Sequence, residues 1–239
     1  MSTTKPIVLL VHGAFAGSDS WDGVVERLLA QSVDVVAIAN PLRSVTGDAE
    51  YVRDVVAAIG RPVVLVGHSY GGIVVTGAAA GNDAVKALVY VGAFAPETGE
   101  SALQLSGKFP GSLLGSDTLH PVPRSDGTTD LYIVRGRFHE LFCPDVTAAE
   151  AARLAATQRP AAQEALFAPS GDKPSWRELP SWFLIGDDDR IIPAELQRFM
   201  AERAGARAST AVAGASHALS VSRPAEVAAT IIDAVAAVS

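Results

Sequence analysis

At 239 residues, of which 49% are hydrophobic, the chain can bury one sizeable core, and this length suits a single α/β domain. A net charge of −7, with lysines and arginines scattered rather than clustered, argues against a phosphate-backbone footprint and so against a nucleic-acid partner. One cysteine, Cys143, cannot form an intramolecular disulfide, and His12, His68, His120, His139 and His217 lack metal-ligand spacing, so no metal site is expected.

The stretch from Met1 to Pro6 precedes only a short apolar strand, without the apolar region and cleavage site of a signal peptide. The longest apolar stretch, Pro62 to Gly81, is interrupted by His68, Ser69 and several glycines, so no membrane span is predicted. The expectation is a cytoplasmic protein without a membrane partner; a homodimer is left open.

In chain order, Ile7–Val11 reads as a buried parallel strand that ends in a His-Gly turn. Asp19 or Ser20 is placed to cap a helix running to about Ala30, followed by a strand over Asp34–Ala39 and a helix over Ala49–Ile59. The branched run Val63–Val66 is a strand that passes through Gly67-His68-Ser69-Tyr70-Gly71 into a helix from about Tyr70 to Ala80. Val85–Val91, Trp182–Ile185 and Ser209–Val212 read as further strands. The last helix, Ala225–Val238, carries Val227, Ile231, Ile232 and Val235 on one face. Strands alternating with helices imply a mostly parallel sheet with helices on both faces.

The alternation breaks between about Ala95 and Pro180, too long a gap for a crossover loop. This segment has signals of its own: Asp126-Gly127 suggests a hairpin, and Thr147 with Glu150 suggests a capping box opening a helix that ends before Pro160. No linker-like run separates it. It is read as a small cap inserted before the acid-bearing strand of a single domain spanning residues 1–239.

Gly67-His68-Ser69-Tyr70-Gly71 is a nucleophile elbow, since a serine raised above a sheet needs a very tight strand-to-helix turn and flanking glycines remove the β-carbons that would collide. A tetrahedral intermediate needs two N–H groups aimed at its oxyanion, here assigned to Tyr70 and Ala14, with Phe15 as the neighbour should the register differ by one. His12 is expected to hold that loop by a hydrogen bond, and His68 to point away from the nucleophile. Of Asp187, Asp188 and Asp189, the last is favoured to orient a histidine because Ile191-Ile192-Pro193 follows it and starts a helix, while the first two read as solvated turn residues. His217, in a loop after the last strand, is the general-base candidate. A Cys143–His139 pair is the weaker reading, because Ser69, Asp189 and His217 already supply a full set and Cys143 precedes Pro144.

With Val11-His12-Gly13-Ala14-Phe15-Ala16-Gly17-Ser18, Val66-Gly67-His68-Ser69-Tyr70-Gly71-Gly72, Asp189-Arg190-Ile191-Ile192-Pro193 and Ser216-His217-Ala218 in the order serine, acid, histidine, the chain resembles the α/β-hydrolase superfamily. It is most similar to small bacterial members related to plant esterases and hydroxynitrile lyases, over essentially its whole length. The resemblance implies the α/β-hydrolase fold and a cofactor-independent serine esterase acting through an ester on Ser69, with His217 as base then acid and Asp189 orienting it. Plant lyases of this type carry a threonine at the position of Gly13 and a lysine at that of Ala218, so the departures point to hydrolysis of a small, mainly apolar ester. A carbon–carbon lyase and a small-molecule receptor that keeps the triad are the alternatives. Phe15, Tyr132, Phe138 and Phe142 are expected to line the pocket, with Leu103, Phe109, Phe167 and Trp176 as further apolar residues of the cap.

Overall fold

A computed structural model describes residues 5–239. Strands β1 (Ile7–Val11), β2 (Val35–Ile38), β3 (Val63–His68) and β4 (Val85–Val91) alternate with helices α1 (Asp22–Ala30), α2 (Val45–Ile59) and α3 (Gly71–Ala79). An inserted segment follows, with α4 (Ala102–Ser106), β5 (Leu119–Pro123), β6 (Thr129–Ile133), α5 (Arg135–Phe142), α6 (Ala148–Thr157), β7 (Ala161–Ala162) and α7 (Gln163–Phe167). The chain then returns through β8 (Ser181–Gly186), α8 (Ala194–Arg203), β9 (Ala208–Val212), α9 (Leu219–Ser222) and α10 (Pro224–Ala237).

The main sheet runs β2-β1-β3-β4-β8-β9 and is parallel throughout. Its strands are near-continuous apolar runs because both faces are covered. The pleat divides them: Leu9, Val11 and Leu65 face a core shared with α2, α3, α8 and the inserted segment, while Val8, Leu10, Val64 and Val66 face a second core closed by α1 and α10. Trp21, Val24, Leu28, Val227 and Ile231 complete the second core, all fully buried.

Several boundaries differ from the sequence reading, each for a local reason. Neither Asp19 nor Ser20 caps α1: a short 3-10 turn over Ser18–Trp21 precedes the helix, the Ser20 hydroxyl donates to the Gly17 carbonyl, and Trp21 is drawn into the core instead. Helix α2 starts earlier than predicted, at Val45, because the Ser44 hydroxyl accepts the Gly47 N–H and so supplies the cap. Thr147 caps α6, but Glu150 pairs with Arg153 rather than closing a capping box; the complete box is at Ser101 and Gln104 on α4. The predicted hairpin at Asp126-Gly127 joins β5 to β6, which form a small antiparallel sheet with β7.

The close approach of the elbow to β1 makes one glycine critical. A β-carbon on Gly71 would overlap the Val11 carbonyl, whereas Gly136 on α5 has open space around it. Gly71→Ala is therefore expected to destabilise by more than about 2 kcal/mol in urea unfolding, while Gly136→Ala leaves stability unchanged or raises it by up to about 1 kcal/mol.

Candidate active site

Three loops at the carboxyl ends of β3, β8 and β9 carry Ser69, Asp189 and His217, the edge where open parallel sheets bind ligands. Ser69 has a left-handed backbone, φ +53°, at the point where β3 turns into α3. Non-glycine residues hold that conformation only when their surroundings over-determine it. Here the Ser69 carbonyl accepts the N–H groups of Gly72 and Phe94 at 3.0 and 3.2 Å. A β-carbon on Gly67 would lie 2.6 Å from the Gly71 carbonyl oxygen, so the turn closes only because Gly67 has none.

Asp189 and His217 form a fully buried pair, with His217 Nδ1 2.8 Å from Asp189 Oδ2. The Asp189 oxygens also accept from the Ile191 and Ile192 amides at 2.8 and 2.9 Å and from Gln197 Nε2 at 2.9 Å. With Nδ1–H donating to this carboxylate, a neutral His217 carries its lone pair on Nε2. That atom is buried and has no hydrogen-bond partner among the described residues. Asp187 and Asp188 instead pair with Arg198 and Arg190 at the surface. Gln197 had no signal in the sequence; it reaches Asp189 because α8 folds back over the loop.

His68 does not simply leave the site, as expected from its place in the elbow. Its ring packs 4.8 Å from that of His217, and its Nε2–H donates to the His217 carbonyl at 2.8 Å. Burial, reinforced by the neighbouring His217, lowers its pKa to about 3. Phe142 meets His217 edge-on at 5.0 Å and stacks on Phe138.

At the end of β1, His12 Nδ1–H donates to the Gly13 carbonyl, and its Nε2 accepts from the Asn40 amide and from Arg159. Burial holds its pKa down at about 4, which keeps that acceptor free of a proton. The Phe15 N–H is committed to the Arg159 carbonyl at 3.1 Å, so it is not the free donor of this loop. The amides of Ala14 and Tyr70 have no protein acceptor among the described residues, and both residues border the same cavity as Ser69. The Tyr70 hydroxyl is turned away and donates to Asp48 at 2.8 Å.

That cavity holds about 440 Å³ between the sheet edge and the inserted segment. Its walls include Phe15, Phe94, Leu103, Leu114, Leu131, Leu166, Phe167 and Ile191, with Ser106, Ser116 and Gln163 as polar points and no charged side chain. Three of the four expected pocket residues lie elsewhere. Tyr132 faces a separate cleft with its cross-strand partner His120, because the pleat of β6 sends Leu131 to the cavity and Tyr132 to the other side. Phe138 and Phe142 sit on the buried face of α5 and pack behind His217. Of the further apolar residues, Leu103 and Phe167 reach the cavity, Phe109 packs on Phe199, and Trp176 is buried, donating to the Pro96 carbonyl. Burial pushes the Cys143 thiol up to about 12, and His139 Nε2–H donates to the Val146 carbonyl rather than to the Cys143 thiol. Among the described residues, no cluster of three or more His, Cys, Asp or Glu side chains could hold a metal ion, and no helix is long and apolar enough to cross a membrane.

The buried histidines give the fold a defined acid response. His12 and His68 take up protons near pH 6.5 when unfolded but only near about 4 and about 3 when folded. The unfolded state therefore binds more protons between these limits, so stability is full above pH 6.5 and falls as pH drops toward 4, by up to about 1.4 kcal/mol per pH unit for each histidine. Urea midpoints at pH 7.5, 6 and 5 are expected to decline in that order; a flat series would contradict the neutral, buried imidazoles.

Residues 8–230 match the alpha/beta hydrolase family. The chain is 28% identical over 242 residues to the alpha/beta hydrolase nvfD of Aspergillus novofumigatus, covering 92% of each chain. Among solved structures it is similar to a pyrethroid hydrolase from Sphingobium faniae JZ-2, with TM-score 0.77 and 23% identity over 98% of both chains. It is also similar to polyneuridine aldehyde esterase, with TM-score 0.80 and 18% identity over 96% of this chain and 99% of that one. The parallel sheet, the elbow between β3 and α3 and a match extending over nearly the whole length place this chain in the alpha/beta hydrolase family.

Proposed function

We propose that the protein is a serine ester hydrolase that cleaves a neutral, mainly apolar carboxylic ester through an acyl-enzyme on Ser69. The observation that carries this reading is the buried Asp189–His217 pair, whose Nε2 has no partner among the described residues and is free to accept a proton. In this mechanism the Ser69 hydroxyl attacks the ester carbonyl and passes its proton to His217 Nε2, while Asp189 holds the imidazole and stabilises its charged form. The Ala14 and Tyr70 amides receive the oxyanion. His217 then protonates the departing alcohol, and water releases the acid by the same steps in reverse.

The substrate class follows from the cavity. Its volume, about 440 Å³, lies in the range of small-molecule sites, and walls without a charged side chain disfavour ionised substrates, whose desolvation nothing there would offset. Half-exposed Leu103 and Phe167 at its wall add apolar surface for a bulky group. Cyanohydrin cleavage has less support. Ala218 supplies no cation beside His217, and even a β-carbon at Gly13 would lie 2.6 Å from Ser69 Cβ, so this backbone has no room for a threonine there.

A fluorophosphonate probe is expected to add one phosphonyl group to Ser69, located by peptide mass mapping. Ser69→Ala should lower kcat on p-nitrophenyl esters by roughly 10³-fold or more with folding intact. A well-folded variant keeping a tenth of the activity would exclude Ser69 as nucleophile. Asp189→Asn should cost on the order of 10⁴-fold, as for the buried aspartate of serine proteases, and Asp187→Asn or Asp188→Asn far less. Mandelonitrile should release no benzaldehyde above the buffer rate; release abolished by Ser69→Ala would replace esterase with lyase. A single slow turnover on every ester tested would favour a receptor.

A further inference from the structure

We propose that Arg159, contributed by the inserted segment, is a positioning residue for the oxyanion site; the proposal rests on the reading of Ser69 and the Ala14 amide given above. Arg159 follows α6 and holds the loop after β1 from two sides. Its carbonyl accepts the Phe15 N–H at 3.1 Å, and its Nη1 donates to the Asn40 carbonyl at 2.9 Å and to His12 Nε2 at 3.0 Å. Asn40 in turn donates its amide N–H to the same His12 nitrogen and its Nδ2–H to the His12 carbonyl, both at 3.0 Å. His12 closes the circuit on the Gly13 carbonyl. The residues on either side of Ala14 are thus tied, and the Ala14 N–H is left without an acceptor among the described residues.

The backbone shows why the loop needs holding. Phe15 is left-handed, φ +63°, a conformation strained for a non-glycine residue that relaxes unless the surroundings forbid it. Relaxation at Phe15 would turn the Ala14–Phe15 peptide and so shift Ala14, whose N–H lies one peptide earlier, and an oxyanion donor acts only within a few tenths of an ångström of its working distance. The guanidinium suits the task because one planar fork bridges a carbonyl and an unprotonated imidazole that share no direct bond. The segment itself is pinned where Arg43 Nη2 donates to the Pro160 carbonyl at 3.1 Å.

The test separates ground-state from oxyanion binding with two ketones of the same aryl-alkyl group. With the trifluoromethyl ketone, Ser69 Oγ bonds to the carbonyl carbon, its proton moves to His217 Nε2, and the carbonyl π pair becomes an oxyanion held by the loop. The methyl ketone binds without that adduct. Arg159→Met is expected to weaken inhibition by the trifluoromethyl ketone, and kcat/KM on a p-nitrophenyl ester, by about 10- to 100-fold, with methyl ketone inhibition changed less than about twofold. Arg159→Lys, which keeps one charged donor, should recover part of the loss. If Arg159→Met does not fold, Arg159→Lys must still show a loss confined to the trifluoromethyl ketone. Equal weakening of both ketones, or of neither, overturns the proposal. A wild-type protein that takes no phosphonyl group at Ser69 and does not prefer the fluorinated ketone overturns the reading beneath it instead.

Discussion

The turn at Ser69 depends on backbone packing against backbone with nothing between. Gly67 abuts the Gly71 carbonyl, Gly71 abuts Val11, and Gly13 abuts Ser69 itself, so three segments meet closer than any side chain allows. This contact forces the serine into its left-handed conformation and places two successive features, the end of β1 and the start of α3, on either side of it. That approach brings Ala14 and Tyr70 to the same cavity wall as Ser69; without it neither loop would sit there.

Around this turn the protein buries three imidazoles and handles them differently. His12 and His68 each satisfy a backbone group and stay neutral because burial penalises their charged forms. His217 alone is given a carboxylate partner, itself fixed by two amides and Gln197. His68, whose Nε2–H holds the His217 carbonyl, is part of this division of labour as a neutral support.

The inserted segment is more than a lid of apolar side chains. Its Leu103, Leu131, Leu166 and Phe167 build the cavity, its Phe142 packs on the His217 ring, and its Asp145 accepts the Ser216 N–H. Arg159 extends the same dependence to the opposite loop. Cavity shape and loop geometry are consequently coupled through one stretch of chain, and a substitution that enlarges the pocket can also disturb the loops that flank Ser69.

The sequence by itself determined what short-range chemistry dictates. Apolar runs of strand length and glycines at fixed offsets around Ser69 were enough for the strands and the elbow, because each depends on residues adjacent in the chain, and the order in which serine, acid and histidine occur along it pointed to the family. Asp189 was favoured among three aspartates from the Ile191-Ile192-Pro193 that follows it, and in the fold it is the one whose carboxylate pairs with His217 and accepts the amides two and three residues on. What faces what across the fold was decided only in three dimensions. Tyr132 and Leu131 are equally apolar neighbours, yet the pairing of β6 with β5 sends one away from the cavity and the other into it. Phe138 and Phe142 read as pocket residues but became the backing of His217, since helix α5 could bury only one face. Gln197 and Arg159 carry no pattern of their own. Their roles come from contacts spanning 8 and 147 residues of chain, set by how α8 and the inserted segment pack, and packing is a property of the whole core rather than of any window of sequence.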